Sequence, residues 1–154
     1  MFSGLPFFFA GIANLAGGWL TDALADTRGL YVARCWLGCA GFLTGAAFVL
    51  AAAIVPQPVA KALLLALALG AVDLSLGACW AVCLDVGVEH AGVVTGAMNT
   101  VGNIGGVLTP IVAGFIVDRT GSWSLVLYVT AALYAVGAAA WLRIDPSAKL
   151  PSNL

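Results

Sequence analysis

Thr95, Asn99 and Asn103 recur four residues apart in a stretch otherwise rich in Val, Ile and Gly. If the stretch is helical, all three side chains share one face. A hydroxyl and two amides stacked in this way can hydrogen-bond a polar solute in a water-filled cavity. The competing reading is helix packing, because Gly92/Gly96 and Gly102/Gly106 are small-residue pairs at the spacing that lets helices approach. Two amides plus a threonine exceed what packing requires, so the stripe is read as solute-binding. A second polar group, Asp73, interrupts another apolar run, with Gly77 and Trp80 following at helical spacing. A carboxylate in lipid costs about 2.5–3.5 kcal/mol on insertion scales, so Asp73 must face other helices or stay protonated. A proton relay, a contact to a solute hydroxyl and a structural hydrogen bond to a neighbouring helix all remain open for it. Trp80 offers a ring on which a sugar-like solute could stack, or simply packs.

Other chemistries are weaker. Asp73 and Asp85 lie twelve residues apart, about 18 Å along a helix, too far to share a proton as a protease dyad must. Cys35/Cys39 and Cys79/Cys83 are each one helical turn apart, whereas metal sites usually recruit His or closely spaced loop Cys. The single histidine, His90, beside Glu89, reads as a solvated turn residue. No catalytic residue, metal site or cofactor is expected.

The elements that must position these groups follow from composition. The 154 residues are 62% hydrophobic and 8% charged, with a mean hydropathy of +1.07. Soluble domains are about a quarter charged, so a soluble enzyme is excluded. A net charge of −1 leaves no basic surface for nucleic acid. Continuous apolar runs, without the period-two alternation of a membrane barrel, point to an all-α, polytopic membrane helix bundle in a lipid bilayer. A crossing takes about 20 residues, and five segments qualify, at residues 2–21, 31–55, 59–84, 91–117 and 124–141. The connections are residues 22–30, the Pro56–Gln57–Pro58 break, residues 85–90 and residues 118–123, with residues 142–154 as a tail. Arg28, Arg34, Arg143 and Lys149 fall on one side, and Lys61 and Arg119 on the other. The side richer in Lys and Arg is expected to be cytoplasmic, which puts the tail inside. Met1 is followed by an apolar stretch without the charged start of a signal peptide. That start and the odd number of spans suggest a chain that begins partway through a larger protein.

The first connection is where a family becomes recognisable. Gly17–Gly18–Trp19–Leu20–Thr21–Asp22, then Arg28 and Arg34, resembles the Gly-x-x-x-Asp loop motif of major facilitator superfamily transporters, as it occurs between their helices eight and nine. Gly18, Asp22, Arg28 and Arg34 would then form a gate at the cytoplasmic ends of helices, where a carboxylate can pair with arginine. A second stretch is more specific. Asp85–Val86–Gly87 leads to Gly96–Ala97–Met98–Asn99, Gly102–Asn103–Ile104–Gly105–Gly106 and Thr120–Gly121–Ser122–Trp123. It resembles helices ten to twelve of the anion:cation symporter branch, which includes hexuronate, glucarate and galactonate carriers.

The resemblance covers residues 1–154 as helices eight to twelve, a partial C-terminal half of a twelve-helix fold. It implies proton- or cation-coupled transport of a small organic anion, a sugar acid, by alternating access across a bacterial inner membrane. Asn99, Asn103, Thr95 and Trp80 would serve the substrate and Asp73 a proton relay. The N-terminal half, which carries the family's helix-one arginine and its coupling carboxylates, would be the missing partner. The alternative reading is a small helical membrane protein that regulates or scaffolds a partner through its Gly-rich faces.

Overall fold

A computed structural model describes residues 5–151, and the surroundings of side chains from residue 11 onward. The start of the first expected span and the last three residues of the tail lie outside this range. Five long helices follow one another: α1 (Leu5–Arg28), α2 (Leu37–Ile54), α3 (Pro58–Gly87), α4 (Ala91–Thr120) and α5 (Trp123–Trp141). A π-helical turn, Val32–Trp36, leads into α2, and a 3₁₀ turn, Val88–His90, joins α3 to α4. There is no strand among the described residues.

Local chemistry sets the boundaries. Val55 and Gln57 are extended, as residues before proline must be, and Pro58 opens α3 where a missing N–H costs nothing. Gly121 adopts φ 67° and its N–H reaches the Val117 carbonyl at 2.7 Å, closing α4 with a left-handed cap. Ser122 then caps α5 by accepting from the Leu125 N–H. Three connections are shorter than expected. The helix runs through Asp22 and Asp26 to Arg28, because Ala and Leu fill the interval and Gly29, at φ 84°, is the first residue that breaks it. Asp22 and Gly18 are therefore helical and not in a loop. Likewise α3 continues past Asp85 to Gly87, and α4 past Asp118 to Thr120.

Among the described residues, three helical runs are long and apolar enough to cross a membrane: Val32–Ile54, Pro58–Thr120 and Trp123–Trp141. The second has 63 residues, about 95 Å if straight, far more than a hydrocarbon core of about 30 Å. It is broken at Val88, a β-branched residue with φ 45°.

Small residues let α1, α2, α3 and α5 approach closely, as membrane helices without a hydrophobic driving force must. A Cβ at Gly17 of α1 would strike the Leu74 carbonyl of α3, and one at Gly77 would lie 2.7 Å from the Gly18 nitrogen. Gly41 meets Ser75, whose hydroxyl donates to the Gly38 carbonyl at 3.3 Å. Gly38 lies against the Trp141 ring and Gly137 against Phe42, which meets Tyr134 edge-on at 5.7 Å. By contrast α4 has no buried residue, and a Cβ at Gly92, Gly96, Gly102, Gly105, Gly106 or Gly114 would meet nothing. The small-residue pairs of α4 have no partner among the described residues.

Candidate functional site

At the end of the bundle where α1 stops and α3 ends, Arg34 is enclosed at the centre of the π turn with 6% exposure. Its Nε donates to Asp85 Oδ2 at 3.0 Å and its Nη1 to Thr21 Oγ1 at 2.9 Å. Thr21 passes the chain of donors on to the Ala33 carbonyl at 2.8 Å. Asp22 Oδ1 lies 3.4 Å from Nη1, with 76% of its side chain exposed against 26% for Asp85. Burial and distance both make Asp85 the stronger partner, since exposed pairs contribute little and charge-assisted bonds strengthen as water leaves. One guanidinium thus ties the C-terminal ends of α1 and α3 to the entry of α2. Single-turn π-helices occur frequently at functional sites.

This arrangement differs in part from the expected gate. Arg34 and Asp22 do meet. Arg28 is exposed and makes no ion pair among the described residues, and Gly18 serves the α1–α3 crossing. Asp85 and Thr21 are the members that sequence reasoning did not assign. Both stood in the quoted motifs, but only a fold in which α1 and α3 run side by side brings them to one arginine.

The tail seals the same end. Tyr31 Oη donates to the Leu142 carbonyl at 2.8 Å, the Cys35 thiol to the Ile144 carbonyl at 3.3 Å, and the Leu150 N–H to the Val86 carbonyl at 3.0 Å. Asp145 accepts from the Ser147 hydroxyl and amide, which hold its carboxyl below the usual range. Arg28, Arg34, Arg143 and Lys149 therefore share one end of the molecule. His90 lies in the α3–α4 turn, as expected, and is half-buried, with an Nε2 that has no partner among the described residues.

The remaining candidates are dispersed. Asp73 lines a cavity of about 460 Å³ between α2, α3, α4 and α5, walled by Phe42, Leu76, Cys79, Met98 and Trp141. It has no ion-pair partner among the described residues. Trp80 does not line that cavity and is 40% exposed. Asn103 Nδ2 donates back to Asn99, to the carbonyl at 2.8 Å and to Oδ1 at 2.9 Å. The Thr95 hydroxyl donates to the Ala91 carbonyl at 2.7 Å. The amides are exposed on α4, and Asn103 borders a shallow groove with Thr100, Ile104, Val107 and Leu108 of the same helix. The one-face arrangement holds, yet nothing among the described residues encloses it.

A polar stripe on an unburied helix, beside an arginine knot at one end of an apolar bundle, suits one part of a membrane carrier, and known proteins point the same way. No protein-family model matches the chain. It is 32% identical over 150 residues to a Cupriavidus necator protein named Probable sulfoacetate transporter, covering 95% of this chain and 34% of that one. It is 33% identical over 139 residues to the chloroplastic Ascorbate transporter of Arabidopsis thaliana, covering 89% and 25%. To the Probable L-galactonate transporter of Escherichia coli it is 30% identical over 154 residues, covering 92% and 32%. The chain is a homologue of anion transporters. The resemblance to major facilitator anion carriers is thereby borne out. These relatives are named as transporters and not as enzymes, and this chain spans about a quarter to a third of their length.

Proposed function

We propose that this chain forms helices eight to twelve of a major facilitator carrier that moves a small organic anion, a sugar acid, together with a proton or another cation. Five crossings would come from α1 to α5, with the Val88 turn separating two of them. The observation that carries the reading is α4: it buries no residue and has open glycines, yet bears Thr95, Asn99 and Asn103. A membrane helix of that composition needs a partner for its polar stripe, and the extra length of the relatives offers one. Asn99 and Asn103, about 6 Å apart along the axis, would reach one hydroxylated acid, with Thr95 and Trp80 at its margin and Asp73 relaying a proton. The names of the relatives, sulfoacetate, ascorbate and L-galactonate transporters, support a small, oxygen-rich organic anion as substrate.

Alternating access requires a contact that breaks and reforms, and the Arg34–Asp85–Asp22 knot would act as one, at what would be the cytoplasmic end in a bacterial inner membrane.

The test is a chimera in which this chain replaces the homologous segment of the Escherichia coli relative, assayed by uptake and equilibrium binding of labelled L-galactonate. Asn99→Ala or Asn103→Ala should weaken binding about three- to tenfold, from roughly 0.5–1.5 kcal/mol per lost hydrogen bond. Unchanged binding with lowered protein abundance would make the stripe a packing device.

A further inference from the structure

Three sulfur atoms meet between α3 and α4, and neither the arginine knot nor the amide stripe uses them. Cys79 Sγ lies 3.1 Å and Cys83 Sγ 3.4 Å from Met98 Sδ. All three residues line the 460 Å³ cavity, on the wall shared with Asp73. Cys79 and Cys83 are one helical turn apart, which places their side chains side by side, and Met98 closes the triangle from the other helix. The other cysteine pair has the same spacing but different surroundings. The Cys35 thiol donates to the Ile144 carbonyl, and Cys39 packs in the core with Leu37 and Trp141.

We propose that Cys79, Cys83 and Met98 form a binding site for a soft monovalent cation, copper(I) or its redox-inert analogue silver(I). Soft thiolate and thioether donors suit such ions, and a methionine thioether is not among the usual ligands of zinc. Among the described residues no group of three His, Cys, Asp or Glu side chains could hold a metal, so the donor set here is sulfur alone. A trigonal ion with bonds of about 2.3 Å, the length of a zinc–thiolate bond, needs sulfurs about 4 Å apart. The two contacts to Met98 must therefore lengthen by somewhat less than about 1 Å, which the three rotatable bonds of methionine allow. Both thiols release their protons to water as the cation enters, because the thiolate and not the thiol is the metal ligand. The thioether binds as a neutral donor, and the site carries one net negative charge. The bound ion would fasten α4 to α3.

The experiment titrates silver(I) into the full chain in lipid nanodiscs by calorimetry, and copper(I) by competition with a chromophoric chelator. One ion should bind per chain, with a sulfur-only shell of three neighbours by X-ray absorption. Met98→Leu, a volume-conserving change, should weaken binding at least about tenfold and leave two sulfurs in the shell. Cys79→Ser and Cys83→Ser should each weaken it further, while the double variant Cys35→Ser/Cys39→Ser binds as the parent chain does. Far-UV circular dichroism on each variant separates lost binding from lost fold. Binding that is absent, that survives Met98→Leu unchanged, or that disappears with Cys35 and Cys39 would overturn the proposal.

Discussion

Replacing Asp85 tests the assignment of the arginine knot most directly. Arg34 is 8% exposed at its side chain and sits 3.0 Å from an Asp85 carboxylate that is 26% exposed. A hydrogen bond to a charged group contributes about 1.5–3 kcal/mol. Because Asp85 keeps some water and Arg34 retains Thr21 and Asp22, the lower end, roughly 1.5–2 kcal/mol, is expected for the Arg34–Asp85 coupling. Asp22, at 3.4 Å and 76% exposed, should couple by only about 0.2–1 kcal/mol, the range for exposed pairs. The assay is a pair of double-mutant cycles, Arg34→Met with Asp85→Asn and Arg34→Met with Asp22→Asn, read by denaturant unfolding of the transporter chimera. The single change Asp85→Asn should also destabilise more than Asp22→Asn, because it removes the main counter-charge of an enclosed guanidinium. If Asp22 couples as strongly as Asp85, the ranking by burial and distance is wrong, and the sequence motif alone described the gate better than the geometry does.

Four further outcomes are expected. Gly17→Ala and Gly77→Ala should each destabilise the chain by about 1–3 kcal/mol, the range for overpacking, since their new methyl groups meet backbone. Gly102→Ala and Gly105→Ala should be harmless in this chain and harmful in the chimera if α4 is covered there; thermal unfolding of both proteins checks the contrast. Ser147→Ala should move the Asp145 titration up toward an ordinary aspartate, visible by NMR. Because the folded carboxyl is held low, the tail's contribution is present above the unfolded value and lost as pH falls through the folded one. A reporter fused after Leu154 should report a cytoplasmic C-terminus; an external signal would overturn the orientation read from the Lys and Arg distribution.

Residue types and their order were enough to establish a helical membrane chain, the breaks at Pro56–Pro58 and Gly121, the common face of Asn99 and Asn103, and the family resemblance. These are local properties: apolar length, φ restriction by proline, left-handed glycine and a period of 3.6 are written in neighbouring residues. The length of α1 is not legible from charge, since Asp22, Asp26 and Arg28 look like a loop although alanine and leucine between them sustain a helix. Which residues meet across helices was not legible. Asp85 reaches Arg34 across 51 positions, Gly17 meets Leu74, and the sulfurs of Cys79 and Cys83 find Met98, all through crossings set by close helix packing. Asp73, Gly77 and Trp80 share a helical spacing, yet the structure sends them to a cavity, a crossing and an exposed surface, because three different environments surround α3. A helix period says which side chains share a face; only the neighbouring helices decide what that face touches.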